Sequence, residues 1–377
     1  MKPRNMIVDY DHYLFAAFML LMIFGLIMQL NISSVRSSME FFYRQIIWVV
    51  LSLVSLWIGF KKVNLEKVRK FIFPIVIFTL ILLILVLILG TPIKGSIRSF
   101  RIWKLNFQPS ILARLVLIFY IVHILDKYQE YIPESRPRVF LRHFNSILVI
   151  PCIFFCLIFL EKHFTPLIVA SLTLLSLLFL ARIRLSTISL LIVLVISFSI
   201  LALNMGTEYR TRRMEIFKKY SLFNKQNDAN TIKGGSDYQV RESLISLASG
   251  KFFGTTPAKG TGKHYFLPEA KTDYIYAIIG EEYGFLGAIA VLALFGYILF
   301  RSFVNAQKTS SLYLQLLSYG IGLNIFINAM INIGVAISAL PPTGVTLPFI
   351  SYGGTSLVIN SFSIGLLLNI SAEKRTL

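Results

Sequence analysis

The chain has 377 residues, 56% of them hydrophobic, with a mean hydropathy of +0.71. That balance excludes an ordinary soluble globule, and apolar runs long enough to cross a bilayer recur throughout. The formal charge of +19 lies in the segments between those runs, as topology and anionic lipid headgroups require, rather than in a patch for nucleic acid.

Only helices and closed barrels satisfy their backbones in lipid, and the period-2 alternation of a barrel is absent. An all-α integral membrane protein of about ten spans, forming one polytopic domain over residues 1–377, is therefore expected. Tyr13–Ile32 is the first span, too long for a signal-peptide core and without a small-residue cleavage site. Phe42–Phe60 and Phe71–Gly90 follow, separated by a basic turn, Lys61–Lys70. A polar insertion, Thr91–Ser110, precedes span four, Ile111–Leu125, which Arg114 interrupts. Span five is Phe144–Leu160. Its segment holds both cysteines, Cys152 and Cys156, at a spacing that shares a helix face but does not favour a disulfide. Spans six and seven are Pro166–Ala181 and Leu185–Gly206. One long loop, Thr207–Thr272, leads to span eight, Asp273–Phe300. Leu312–Ile337 is the ninth and Ser351–Ile370 the tenth, with a proline- and glycine-broken, re-entrant-like stretch at 340–350 between them.

An even number of spans puts both termini on one side. The short segments on that side carry 17 Lys and Arg. The short loops opposite carry six: Arg36, Lys94, Arg98, Arg101, Lys104 and Lys162. The positive-inside rule then places both termini in the cytoplasm and turns the long loop outward. No nucleotide pool exists outside a cell membrane, and neither a GxxxxGK[ST] nor a strand-to-helix GxGxxG occurs. Chemistry at that face needs a pre-activated substrate.

Three stretches carry the candidate chemistry. In KTDYIYAIIGEE (Lys271–Glu282), Thr272 and Asp273 stand where a helix N-cap belongs, and capping alone would explain a carboxylate there. Glu281 and Glu282 lie roughly 12 Å further along the helix, either as acids bonded across helices or as part of a path. In LPPTGVTLPFISYGGTS (Leu340–Ser356), Pro341, Pro342 and Pro348 break the backbone, tolerated at membrane depth beside a cavity or within protein. KGSIRSFRIWKLNFQPS (Lys94–Ser110) mixes four cations with Phe100, Trp103 and Phe107, as an interfacial anchor or as a grip for a lipid pyrophosphate. The basic and aromatic stretch Thr207–Asp228 reads as an amphipathic segment on the membrane surface, and Lys251–Lys263 as a flexible flap.

Together these stretches resemble one bacterial family, the shape, elongation, division and sporulation (SEDS) proteins. The resemblance spans the chain and rests on YQVRESLISLASGKFFG (Tyr238–Gly254), FLPEAKTDYIYAIIGEEYGFLG (Phe266–Gly287) and PPTGVTLPFISYGGTSL (Pro341–Leu357). The wording of the last two is closer to the division branch than to the elongation branch. The resemblance implies an inverting peptidoglycan glycosyltransferase of the cytoplasmic membrane that polymerises lipid II at its outer face. It implies Asp273 as the base for the acceptor hydroxyl. Lys94, Arg98, Arg101, Arg210 and Lys259, or a divalent cation such as Mg or Mn, would answer the leaving pyrophosphate. Lys271, Glu269, Ser351, Tyr352 and Gly353 complete the candidate substrate contacts. It further implies a single-span transpeptidase, a class B penicillin-binding protein, as partner, with other division or elongation proteins, and no nucleic acid.

The chain departs from the family pattern. QPSE-x-x-K reads QPSILAR, so Ile111 replaces an acid and Arg114 a lysine that must find another partner. Ser99 follows Arg98 where Trp is usual. PDxG reads KHFT, with His163 and Thr165 at its polar positions. HTDF reads KTDY, which puts Lys271 two residues from Asp273, where a nearby cation would favour the ionised carboxylate. Two other functions stay open on the sequence: a transporter of lipid-linked precursor, its path lined by Glu281, Glu282 and Arg114, and an inactive division scaffold.

Overall fold

The computed structural model describes residues 5–35, 39–93, 96–102, 105–161, 164–204, 208–221, 235–255, 260, 262 and 271–376. A short strand, β1 (Asn5–Asp9), opens the chain. α1 (His12–Val35) and α2 (Glu40–Trp57) follow, the latter widening into a π-turn at Ile58–Lys62. A short α3 (Leu65–Lys70), capped by the Asn64 side chain, turns the chain into α4 (Ile72–Leu89). Two small antiparallel ribbons come next, β2–β3 (Pro92–Ile93 with Ser96–Ile97) and β4–β5 (Phe100–Ile102 with Leu105–Phe107). α5 (Pro109–Lys127), α6 (Pro137–His143), α7 (Asn145–Leu160), α8 (Phe164–Leu180) and α9 (Leu185–Asn204) continue the bundle. α10 (Glu208–Tyr220) and α11 (Gly235–Ser249) lie within the long loop. α12 (Ile275–Gln307), α13 (Leu312–Ala336), α14 (Gly354–Ser371) and β6 (Glu373–Thr376) complete the chain.

Each of the ten apolar runs is helical. Among the described residues, seven are long and apolar enough to cross a bilayer alone: α1, α2 with its π-turn, α4, α5, α12, α13 and α14. α6 and α7 meet at a 75° bend and count as one further span only if taken together, and α8 and the first part of α9 are shorter apolar helices. An eighteen-residue helix is about 27 Å long, close to the hydrocarbon thickness. The helices sort into a centre and a rim. Within its most apolar stretch α5 is 83% buried and α13 and α14 72% each, against 22% for α2 and 28% for α4. The rim residues Phe73, Ile77, Ile84 and Ile88 are exposed, as side chains facing lipid must be. Cys152 and Cys156 are free and exposed on α7.

β1 pairs antiparallel with β6, Asn5 opposite Thr376 and Ile7 opposite Lys374. The two ends of the chain therefore meet at one end of the bundle. At that end Asp11 caps α1 through the Leu14 amide and accepts from Arg301 Nε at 2.9 Å and Asn305 Nδ2 at 2.7 Å on α12.

Span eight differs from its expected form. α12 is broken at Gly284 (φ 66°, ψ −165°). The segment before the break, Ile275–Glu282, is buried inside the protein. Amides freed by the break are taken up by the preceding loop: Phe285 donates to the Lys251 carbonyl at 3.0 Å and Leu286 to that of Phe252 at 3.3 Å. A Cβ on Gly284 would lie 2.3 Å from the Gly254 nitrogen, so the crossing demands glycine. The long loop is likewise more ordered than a surface anchor. Ile216 of α10 is fully buried, Lys219 pairs with Asp237 of α11 at 3.4 Å, and Ser243 of α11 bonds the Ala336 carbonyl of α13.

Candidate active site

Asp273 lies in the turn Lys271–Tyr274. The N-cap of α12 is Tyr274, and no side chain caps it. The helix begins just after the Thr272–Asp273 pair.

Three other elements fix the backbone of this turn. The Lys271 carbonyl accepts from the Tyr352 amide at 2.8 Å and from Gln29 Nε2 of α1 at 3.0 Å. The Thr272 carbonyl accepts from Ser351 Oγ at 2.6 Å, and the Asp273 carbonyl from Asn332 Nδ2 of α13 at 2.9 Å. Three consecutive carbonyls are thus held by three different parts of the protein. Such over-determination keeps a reacting group in place before substrate arrives.

The stretch 341–353 between α13 and α14 carries no helix and is fixed in the same way. Asn332 Nδ2 also donates to the Val345 carbonyl, and Asn328 Nδ2 to that of Thr346 at 3.3 Å. Thr165 at the start of α8 bonds the Thr343 carbonyl at 3.3 Å. Ser351 Oγ accepts from the Leu347 amide at 2.8 Å. Phe349 is fully buried in the left-handed region (φ 66°), a strained geometry that packing on Phe18 at 5.1 Å sustains.

Gly344 (φ 74°) occupies the centre of the site. A Cβ there would be 3.4 Å from Asp273 Oδ2 and 4.0 Å from Arg98 Nη1. The carboxylate and the guanidinium therefore both lie close to one bare stretch of backbone. Lys271 Nζ lies over the Phe41 ring, 3.2 Å from its centroid, with the Tyr352 ring at 6.0 Å. Its charge therefore lies against aromatic faces. Gly353 has an extended backbone (φ 177°). Gly354 packs against Trp48, whose ring a Cβ would strike at 2.0 Å. β5 is tied to the same region, since Thr355 Oγ1 bonds the Asn106 carbonyl at 2.6 Å.

Of the sequence-derived candidates, the structure brings Asp273, Lys271, Arg98, Ser351, Tyr352 and Gly353 together around this stretch. Lys94, Lys259 and Glu269 lie outside the described residues, as does His163. Arg101 sits on β4 and Arg210 on α10, with side chains outside the described set.

The sequence reading passed over four side chains. Asn324, Asn328 and Asn332 recur every fourth residue of α13 and are all buried, a polar stripe on an otherwise apolar helix. Asn328 accepts Arg114 Nη1 at 2.8 Å, so an amide stands where a carboxylate partner is missing. The fourth is Glu161, at the C-terminal end of α7. It is fully buried, and burial pushes its carboxyl up to about 8, against the opposing pull of Ser110 and Arg98.

Glu281 and Glu282 are structural. Both Glu281 oxygens accept from the Gly262 amide at 3.1 Å. The Glu281 carbonyl accepts from Thr255, and Glu282 from Asn31 of α1. At its described points, the segment read as a flexible flap is pinned to α12. Among the described residues no three His, Cys, Asp or Glu side chains converge, and a guanidinium stands beside Asp273.

The sequence profile of the cell cycle protein family that comprises FtsW, RodA and SpoVE matches residues 11–376. Proteins described as "Probable peptidoglycan glycosyltransferase FtsW" are similar along their whole length. The one from Coxiella burnetii is 32% identical, covering 99% of each chain. The one from Legionella pneumophila is 32% identical, covering 100% of this chain and 96% of its own. Two solved structures share the fold. One is a chain of a peptidoglycan synthase complex that coordinates polymerisation and crosslinking, with TM-score 0.76, 22% identity and coverage of 97% of this chain and 98% of that one. The other is the rod shape determining protein RodA of Thermus thermophilus, with TM-score 0.69, 22% identity and 97% of both chains. The chain is a multi-pass membrane protein that belongs to the FtsW/RodA/SpoVE (SEDS) family.

Proposed function

We infer that this chain is a peptidoglycan glycosyltransferase of cell division that polymerises lipid II, with Asp273 as its base. The observation that carries the assignment of Asp273 is the triple anchoring of the 271–273 carbonyls, with its carboxylate and Arg98 both close to Gly344. Asp273 takes the proton from the acceptor sugar hydroxyl as that oxygen attacks the anomeric carbon of the donor. The bond to the lipid pyrophosphate breaks in the same displacement, which inverts the anomeric centre. Arg98 answers the charge that develops on the leaving group. No step is routed through a metal ion.

Both termini lie in the cytoplasm on this reading, supported by the charge bias and by the β1–β6 pairing that joins the two ends. The site then opens to the outer face of the cytoplasmic membrane. A single-span transpeptidase is the partner, a role supported by the similarity to a chain of a synthase complex that couples polymerisation to crosslinking. The groups that would line a transport path are engaged in internal bonds instead: Glu281 with Gly262, Glu282 with Asn31, Arg114 with Asn328.

The test is polymerisation of purified lipid II by the chain in complex with its transpeptidase, crosslinking blocked, beside Asp273→Ala. Glycan from the wild type and none from the variant is the expected result. Equal product from both would remove Asp273 from the reaction.

A further inference from the structure

The outer end of α2 enters none of the chemistry above, yet it touches two segments of the candidate site. Over most of its length α2 packs along α14. Trp48 covers Gly354, the Leu56 carbonyl lies against Gly365, and Ser55 Oγ bonds the Val358 carbonyl at 3.2 Å. Its opposite face carries the exposed Tyr43, Ile47 and Val50. Phe41 stands seven residues before Trp48 and so shares its face. It carries the contact past the start of α14. Lys271 Nζ lies 3.2 Å from the centroid of its ring, and the Tyr352 ring meets it at 5.9 Å, perpendicular to it. The backbones of those two partners are bonded to each other, the Tyr352 amide donating to the Lys271 carbonyl at 2.8 Å. An aromatic residue that only anchors a helix at the membrane edge turns its ring to the headgroups, and a lysine there extends its ammonium to water. Phe41 is instead half-buried, with the Lys271 ammonium drawn onto its face.

We propose that Phe41 is a positioning residue for glycosyl transfer, its ring holding the Lys271 ammonium and the Tyr352 ring together so that the 271–274 turn stays seated on the 351–353 segment. The inference rests on the glycosyltransferase reading for what is positioned, and it adds α2 to the site. The hydrogen bonds to the 271–273 carbonyls fix the backbone of the turn, whereas Phe41 fixes the side chain at its first residue. Asp273 follows two residues later, so any slack at Lys271 reaches it through two peptide units. The face of the ring is what the contact needs. A leucine would fill much of the same space but has no π-face to attract a cation, and a tyrosine keeps that face. Losing the ring would leave the lysine stem free to take other rotamers, and the bond between Lys271 and Tyr352 would open more often.

The experiment uses the full chain with its crosslinking-blocked transpeptidase and purified lipid II. It compares wild type, Phe41→Leu, Phe41→Tyr, Lys271→Met and the Phe41→Leu/Lys271→Met double variant. Maximal rate, the lipid II concentration for half-maximal rate, melting temperature and hydrogen exchange at the Tyr352 amide are measured on the same preparations. Phe41→Leu is expected to lower the maximal rate about tenfold, the scale of a loosened catalytic contact, and to speed exchange at Tyr352. The half-maximal concentration and the melting temperature should stay close to those of the wild type. Phe41→Tyr should restore both rate and exchange. In the Lys271→Met background Phe41→Leu should add little, since the two residues act as a unit. Unchanged rate or unchanged Tyr352 exchange in Phe41→Leu would overturn the proposal. So would an equal loss in Phe41→Tyr, full additivity with Lys271→Met, or a rate loss that tracks a fall in melting temperature. A wild type that makes no glycan would sink the glycosyltransferase reading itself, and Tyr352 exchange would still decide whether Phe41 holds the turn.

Discussion

Two parts of the protein bury glutamates to the same depth and treat them oppositely. In the first turns of α12, Glu281 and Glu282 are each 1% exposed, and each carboxylate is bonded to a neighbouring segment. In the α7–α8 turn, Glu161 is 0% exposed, and beyond the pull of Ser110 and Arg98 neither oxygen makes a hydrogen bond of ordinary geometry. Bonded acids fasten a loop and a helix to the core. An acid buried without a well-formed bond lowers stability. Burial alone does not separate structure from chemistry, whereas the state of the hydrogen bonds does.

The sharpest way to break this comparison lies at the half-buried Asp273. Asp273→Asn should lower the rate of glycan polymerisation by about 10²–10⁴-fold, the usual contribution of a general base, with an unchanged melting temperature. A variant that melts early would make Asp273 a structural acid like Glu281. Next in size is Glu281→Ala. It leaves the Gly262 amide without its acceptor and should destabilise the fold by about 2–4 kcal/mol. Detergent-phase unfolding would measure this, and proteolysis should then cut the loop before α12 faster. Asn332→Ala frees the carbonyls of both Asp273 and Val345. We expect polymerisation to fall about tenfold through a looser base, with the substrate concentration for half-maximal rate little changed.

A pH series sharpens the comparison on the Glu161 side. Its carboxyl is raised from an ordinary value of 4.5 to about 8. Between those values the folded protein holds a proton that the unfolded chain has released, so stability falls as pH rises through that window. The gain in melting temperature of Glu161→Gln over wild type should therefore widen from pH 5 to about pH 8 and then level off. A flat difference would mean that Glu161 finds compensation on ionising. The smallest effect is expected from Gly344→Ala. Its Cβ would sit in ordinary contact with Asp273 Oδ2, but a positive φ disfavours it by about 1 kcal/mol, and a few-fold loss of rate should result.

Much of this was legible in the sequence. The helical, membrane-spanning character follows from apolar runs that lipid forces to close their own hydrogen bonds. Asp273, Arg98 and the Ser351–Gly353 turn were found because their motifs recur as wording. The break at Gly284 was hidden because apolar residues continue on both sides of it, and a glycine in a helix pattern does not announce its φ. The order of α10 and α11 was hidden by their polarity, which resembles that of a surface loop until Ile216 and Ser243 are seen to be buried. The asparagines of α13 carried a signal in their fourfold spacing, since amides seldom recur on one face of an apolar helix without a backbone to hold. Glu161 carried none. The groups that act on its charge, Ser110 and Arg98, lie more than fifty positions away in the chain.

The strand pair at the two ends of the chain has a consequence for how the protein can be rewired. Asn5 and Thr376 are opposite one another in an antiparallel ladder, where paired Cα atoms are about 5 Å apart. The polypeptide is nearly a closed ring, interrupted at a single seam. Joining the ends through a linker of a few residues and opening the ring in the turn between α12 and α13 would give a circular permutant with every helix–helix contact of the parent. Its assembly into the same bundle would show that the order in which the spans enter the membrane does not dictate the fold.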